Sequence, residues 1–336
     1  MRESWVDYAK GIGIFLVVFG HVNRGLYSSG IYISEKIYKI IDSVIYSFHM
    51  PLFFFLAGLF FVQSIDRRGK KDFLISKVDT VMYPYVLWSL IQGGIEVLLS
   101  HYTNSKTEVG EVLSFLTQPR AQFWFLYALF MIFFVSSVIY QKKIFNKYLP
   151  LLLVVSLLIN IYNDKLFGYF HFNYITKYIF FFILGVIFRK LSDRIIMYMN
   201  GVTFFIIFFI FVFSQIMFHG VHGKTYIVAG FENVEVATIS IAFIVFLSVY
   251  ISRLNFRVLR YLGELSMVIY LMHIIAGSGM RVFLNKILHI NDWFVHVALG
   301  TFAGIIVPVI AIFLLKRWHT DFLFVRPHLH LKSKAS

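Results

Sequence analysis

The segment GVTFFIIFFIFVF, from Gly201 to Phe213, carries bulky apolar side chains all round, with no polar residue beyond a single threonine. A membrane-spanning strand would alternate apolar and polar positions over about ten residues. A run apolar on every face, within a span expected to end near residue 218, instead suits a helix, which needs about 20 predominantly apolar residues to cross some 30 Å of hydrocarbon. Working outward, the same pattern recurs. Spans are expected near residues 9–27, 44–64, 80–100, 122–140, 148–162, 171–188, 200–218, 235–252, 262–280 and 293–315. With 59% hydrophobic and only 14% charged residues, the composition is far from that of a soluble domain. The expected fold is all-α: a polytopic membrane protein of about ten transmembrane helices. Residues 1–320 would form one membrane domain and 321–336 a cytoplasmic tail.

The net charge of +14 raises nucleic acid as a partner. Placing both termini in the cytoplasm puts 21 of the 31 Lys and Arg on that side. The positive-inside rule therefore accounts for the surplus, and no nucleic-acid partner is expected. No small-residue cleavage site follows His21 closely, so the first span is read as retained rather than as a signal peptide. Cysteine is absent, which removes disulfide and thiolate chemistry.

The first span, DYAKGIGIFLVVFGH, holds Lys10 and His21 eleven residues apart. On a helix this is about three turns plus 20°, so both share a face, and the rise of ~16 Å sets His21 near mid-membrane if Lys10 marks the inner boundary. A histidine at that depth faces a bundle interior or a watery cavity. It either hydrogen-bonds to a neighbouring helix or does chemistry as a neutral proton acceptor. Lys10 reads as an interface anchor or as a ligand group, with Asp7 a plausible partner on its face.

The second span opens SFHMPLFFFLAGLFF. There His49 could join His21 in an outward-opening cavity, and Pro51 would leave a carbonyl in need of a partner. Arg67, Arg68, Lys70, Lys71 and Lys77 follow in a short loop. Topogenic charge explains such a cluster, and so does a polyanionic cofactor such as coenzyme A. No GxxxxGK[ST] pattern is present, which argues against a nucleotide P-loop. In PRAQFWFLYAL, Gln122, Trp124 and Tyr127 stand at a helix start as interfacial belt residues or as a sugar-stacking surface. Glu96 is an intramembrane acid with either an acceptor-binding or an ion-pairing role. In LGELSMVIYLMHI, His273 again falls near mid-membrane, beside Glu264, Ser266 and Tyr270. The pairs His219/His222 and His328/His330 lack the company that metal-ligand spacing requires, so no metal is expected.

These blocks, DYAKGIGIFLVVFGH, FHMPLFFFLAG, the basic loop followed by YPYVLW, FWFLYAL and LGELSMVIYLMH, occur in an order that resembles the integral-membrane acyltransferase family 3. The likeness is to its short members similar to fucose 4-O-acetylases and other polysaccharide O-acetyltransferases. It implies a ten-helix enzyme of the inner membrane that moves an acetyl group from acetyl-CoA to a carbohydrate hydroxyl, the acceptor being free or lipid-linked. Within it, His21 matches the essential histidine of the first helix and Lys10 its basic partner. His49, Trp124 and His273 match motif positions. Lys10 stands where many members have arginine, and lysine lacks the bidentate fork for phosphate. Ala57 stands where many have serine. The extracytoplasmic esterase-like domain of longer relatives is not expected here.

Acetyl-CoA would then be held by Lys10, Arg67, Arg68, Lys70 and Lys71. His21, with Lys10 and His49, would carry catalysis, and Trp124, Gln122, Glu96 and His273 would bind the acceptor. Two other classes fit parts of the sequence. A secondary transporter would normally show an internal repeat, which is not visible. A glycan polymerase would normally carry a longer outer loop.

Overall fold

The computed structural model describes residues 4–100, 108–167, 173–317 and 320–326. The tail histidines His328 and His330 lie outside these. Among the described residues the regular structure is helical throughout. The chain runs α1 Ser4–Ser28, α2 Glu35–Tyr46, α3 His49–Leu59, α4 Phe61–Arg68 and α5 Lys70–Lys77. It continues with α6 Tyr83–Leu98, α7 Val109–Leu113, α8 Trp124–Ile139, α9 Lys142–Ile161, α10 Asn163–Phe167 and α11 Asn173–Met197. The last elements are α12 Gly201–Gln215, α13 Phe231–Arg253, α14 Arg257–Glu264, α15 Ser266–Val282 and α16 Trp293–Arg317.

All ten expected spans fall on helices, and among the described residues eight segments are long and apolar enough to cross a membrane. The other two expected spans are α6, only 16 residues long and preceded by a π-helical turn at Val78–Met82, and α11, which keeps Lys177, Arg189 and Lys190 within its 25 residues. The second span is not one rod. It breaks at Ser47 and Phe48, so Pro51 lies in the first turn of α3, where the missing N–H has no intrahelical partner to lose. The expected carbonyl defect at Pro51 therefore does not arise from the middle of a long helix. Gly69, with φ of 78°, makes the sharp turn from α4 to α5.

Helix α1 is the axis of the bundle, packed against α3, α13, α14, α15 and α16. Small residues let backbones touch, the usual device where lipid offers no hydrophobic drive for association. A Cβ at Gly263 would fall on the Asp7 carbonyl oxygen, and one at Gly11 on that of Leu259, which fixes α14 against α1. Val18 and Val22 of α1 fill the space above Gly304 and Gly300 of α16. Elsewhere α3 and α11 cross at Gly58 and Gly185, where each glycine faces the other helix's backbone carbonyl. The phenylalanines of α12 that prompted the helical reading lie largely outward, with Phe205, Phe209 and Phe213 all exposed.

A candidate functional site beside two cavities

One face of α1 and one face of α15 pass two cavities in succession. The larger, about 350 Å³, is bordered on α1 by Lys10, Ile14 and Val17 and on α15 by Ser266, Met267 and Tyr270. Phe53, Phe60, Phe125 and Phe133 add apolar wall, while Lys77, Thr80 and Glu264 add polar groups. One turn beyond Val17 and Tyr270, His21 and His273 border a second, smaller cavity of about 20 Å³. Ser278, Arg281 and His296 complete its polar lining. That volume admits about one water-sized guest. The Lys10 to His21 stripe read from sequence is thus real, but its two ends open into different chambers.

The His21 and His273 rings lie 5.2 Å apart, centroid to centroid. His273 is buried, and its Nδ1 sits 2.8 Å from the Tyr270 carbonyl oxygen and 3.2 Å from that of Ile269. Carbonyls only accept, so Nδ1 bears the proton and a neutral ring keeps a lone pair on Nε2, which has no partner among the described residues. His49 is anchored in the same way, through Nδ1 to the Ile45 carbonyl at 2.8 Å, with Nε2 unpartnered. His21 differs, since neither of its nitrogens has a hydrogen-bond partner among the described residues.

His49 does not border the cavity of His21. Tyr46 stands between them, its ring 4.4 Å from His49 and 6.1 Å from His21, nearly perpendicular to both. Over the Tyr46 face lies the Arg24 guanidinium, 3.1 Å from the ring centroid. Arg24 also forks onto Asp42, with its Nη2 donating at 2.9 Å, and donates at 2.6 Å to the Tyr226 hydroxyl. The loop bearing Tyr226 is tied down again where its backbone N–H donates to Ser43 Oγ at 3.0 Å. Sequence reading passed over Arg24, Asp42, Tyr46, Tyr226, Arg281 and His296. Arg24 was the accessible one: it follows His21 by three residues, on the same helix face, and an arginine inside a span asks for a partner.

Of the loop cations, Lys77 alone borders the larger cavity. Arg67, Arg68, Lys70 and Lys71 are exposed, with Arg68 donating to Ser76 Oγ and Lys70 to the Val138 carbonyl at 3.2 Å. Burial pushes the Lys77 ammonium down to about 8, and the nearby Arg68 and Lys10 charges push the same way. Its Nζ lies 4.4 Å from the Phe133 ring centroid. Gln122 and Glu96 do not border either cavity. Gln122 exchanges amide hydrogen bonds with Gln92 at 2.6 and 3.3 Å, and its carbonyl accepts from the Tyr270 hydroxyl. Glu96 accepts from Gln92 and pairs with Arg120 at 3.3 Å, the ion-pairing alternative of the sequence reading. Trp124 stacks on Tyr174 at 5.0 Å and lies tilted against Tyr178 at 5.2 Å, and so helps hold α8 against α11. Among the described residues no group of three or more metal-ligating side chains converges.

Comparison with known proteins gives this arrangement a context. Residues 3–313 match the sequence profile of an acyltransferase domain, the integral-membrane family 3. The chain is also similar to two curated relatives called nodulation protein NolL. That of Mesorhizobium japonicum is 26% identical over 141 residues, 41% of this chain and 36% of the relative. That of Sinorhizobium fredii is 24% identical over 157 residues, 44% of this chain and 39% of the relative. The matches therefore span well under half of the relatives' length. No solved structure matches the chain. With nearly the whole chain covered by one profile, this multi-pass membrane protein belongs to the integral-membrane acyltransferase family 3.

Proposed function

We propose that the protein is an O-acetyltransferase of the inner membrane, with acetyl-CoA as donor and a carbohydrate hydroxyl as acceptor. The observation that carries this reading is the pair of cavities that α1 and α15 pass in succession, one largely apolar and fringed by two lysines, the other bordered by His21, His273, Arg281 and His296. Both termini and the Lys10 end face the cytoplasm, as the positive-inside count requires. Acetyl-CoA docks at that end with its phosphates toward Lys10 and Lys77 and its narrow acyl arm in the 350 Å³ cavity. The exposed cations Arg67, Arg68, Lys70 and Lys71 raise the local potential for a polyanion without lining the cavity. The thioester comes to rest at the turn of Val17 and Tyr270, beside His21.

The acceptor hydroxyl arrives through the smaller cavity. His21 removes its proton as the oxygen bonds to the thioester carbonyl carbon. Collapse of the tetrahedral species breaks the carbon–sulfur bond, and the coenzyme A thiolate leaves and takes the proton held by His21. One acetyl ester and one free thiol result. Excluding water from the chambers strengthens each electrostatic contact and limits hydrolysis.

The test is His21→Ala in membranes, measured as radiolabelled acetyl transfer from acetyl-CoA to surface glycan. Loss of a general base predicts a fall of about 10²- to 10⁴-fold at unchanged expression. Retained transfer refutes the assignment. Binding of acetyl-CoA to the purified protein separates this reading from a transporter or a glycan polymerase.

A further inference from the structure

Residues 320–326, which include the start of the expected cytoplasmic tail, lie against the bundle near the turn that follows Lys77. Phe324 is buried and stacks on Trp88 of α6, the ring centroids 5.9 Å apart. The Trp88 indole N–H donates to the Leu323 carbonyl at 2.7 Å. From this anchor the segment reaches the π-helical turn Val78–Met82. There the Arg326 backbone N–H donates to the Asp79 carbonyl at 3.4 Å, and the Arg326 guanidinium stands 3.6 Å from the Asp79 carboxylate. The acid is buried, whereas the arginine side chain is 54% exposed.

The sequence explains why this turn takes an outside partner. In a π-turn each carbonyl is bonded by the N–H five residues on, and the Tyr83 N–H accordingly goes to the Val78 carbonyl. The next bond of the series, to the Asp79 carbonyl, would need an N–H at Pro84, which has none. That carbonyl is left for the Arg326 N–H, and a buried carbonyl without a donor is costly. The same stretch carries cavity residues on either side of Asp79. Lys77 precedes it by two positions, Thr80 and Val81 follow it, and all three border the 350 Å³ chamber. A π-turn is uncommon and frequently marks a functional site.

We propose that residues 320–326 are a positioning strap for the donor cavity, with Arg326 clamping Asp79 so that the turn presents Lys77, Thr80 and Val81 to the acyl donor. Arg326 does not border the cavity and acts through Asp79, as a positioning residue. This rests on the acetyl-transfer reading above and adds a second part of the chain to its donor site. Without the clamp the turn samples other arrangements, and apparent affinity falls with the fraction that still presents the lysine. Bond making at His21, on a different helix, is untouched.

The experiment uses the full chain in lipid nanodiscs and reads both the binding of radiolabelled acetyl-CoA and acetyl transfer to purified surface glycan. Arg326→Ala, at an exposed side chain, is expected to raise Kd and KM about fivefold with kcat within about twofold. Arg326→Lys keeps the charge and should bring Kd back to within about twofold of wild type. Asp79→Asn separates clamping from direct contact. Removing an acid near a polyanion would by itself tighten binding, so a weakening like that of Arg326→Ala is the signature of a lost clamp. In a Lys77→Ala background Arg326→Ala should cost less than about twofold, because the cation it positions is gone. Should Asp79→Asn not fold, the Lys77→Ala comparison decides alone.

Tighter binding by Asp79→Asn together with weaker binding by Arg326→Ala overturns the strap and makes Arg326 a direct phosphate contact. Unchanged affinity in Arg326→Ala, or equal losses with and without Lys77, also overturns it and leaves the acetyltransferase reading standing. Failure of the wild-type chain to bind acetyl-CoA overturns that reading, and the strap's role with it.

Discussion

Arg24 offers the sharpest quantitative test, because its partners are named and measured. Its guanidinium forks onto Asp42, donates to Tyr226 and covers the Tyr46 ring at 3.1 Å. Arg24→Met removes all three contacts and leaves Asp42, whose side chain is only 12% exposed, as an uncompensated carboxylate. Breaking a fully buried pair costs 3–5 kcal/mol. Arg24 itself is 30% exposed, so solvent relieves part of this and about 2–3 kcal/mol is the scale to expect. The lost cation–π contact adds about 0.5–1 kcal/mol. Together these shift the folding equilibrium by roughly 100-fold or somewhat more, at 1.4 kcal/mol per factor of ten.

Asp42→Asn should cost less, since the guanidinium keeps Tyr46 and Tyr226. The double variant should cost no more than Arg24→Met alone, because the stranded carboxylate is gone. The assay is reversible unfolding in mixed micelles by a denaturing detergent, followed by tryptophan fluorescence. Additivity of the two single losses to within about 0.5 kcal/mol would show that Arg24 and Asp42 do not act as a pair, and would refute the reasoning.

The other predictions concern the inner cavity, the helix crossings and the displaced site residues. Lys77, held near 8 by burial, is the cationic form below that pH and the neutral form above it. Affinity for acetyl-CoA should therefore be flat on the acid side and fall as pH rises through about 8. Lys77→Arg, always charged, should remove the fall in a KM-against-pH series. Gly58→Val should abolish the folded band in fluorescence-detected gel filtration, because a Cβ there meets the Phe182 carbonyl and α3 would have to leave α11, an overpacking cost of about 1–3 kcal/mol or more. Glu96→Gln should lower thermal stability by about 1 kcal/mol through the Arg120 pair while leaving kcat/KM within about twofold.

Much of the bundle was legible in sequence because the bilayer dictates it. Apolar runs of spanning length have to be helices, and an eleven-residue spacing has to share a face. The site was legible only along α1 and α15, whose own periodicity carries it. The remaining placements were hidden for identifiable reasons. Cations placed by topology and cations placed by a ligand look identical in a loop, and only the fold shows that Lys77 turns inward while Arg67, Arg68, Lys70 and Lys71 stay outside. Gln122 and Glu96 carry polar groups that a sugar would use, yet Gln92 and Arg120 reach them first. Tyr226 comes to Arg24 from about two hundred residues away, and no local pattern announces it.

The histidines of the cluster divide by how they are held, and that division assigns the work. His49, His273 and His296 each spend one N–H on a backbone carbonyl, which fixes ring and tautomer and leaves a single lone pair facing a set direction. A ring so held can read a hydroxyl but can serve only one side. His21 has no such tether among the described residues and borders the smaller cavity one turn beyond Val17, which borders the larger. The acetyl transfer proposed above needs a proton taken from the acceptor on one side and returned to sulfur on the other. An untethered ring at the boundary can face both in turn. Arg24, three residues on along the same face, is already matched by Asp42, and in the proposed step the transient imidazolium is discharged by the departing thiolate. On this account a new tether on His21 would hurt as much as losing it, since a fixed ring could collect the proton but not hand it on.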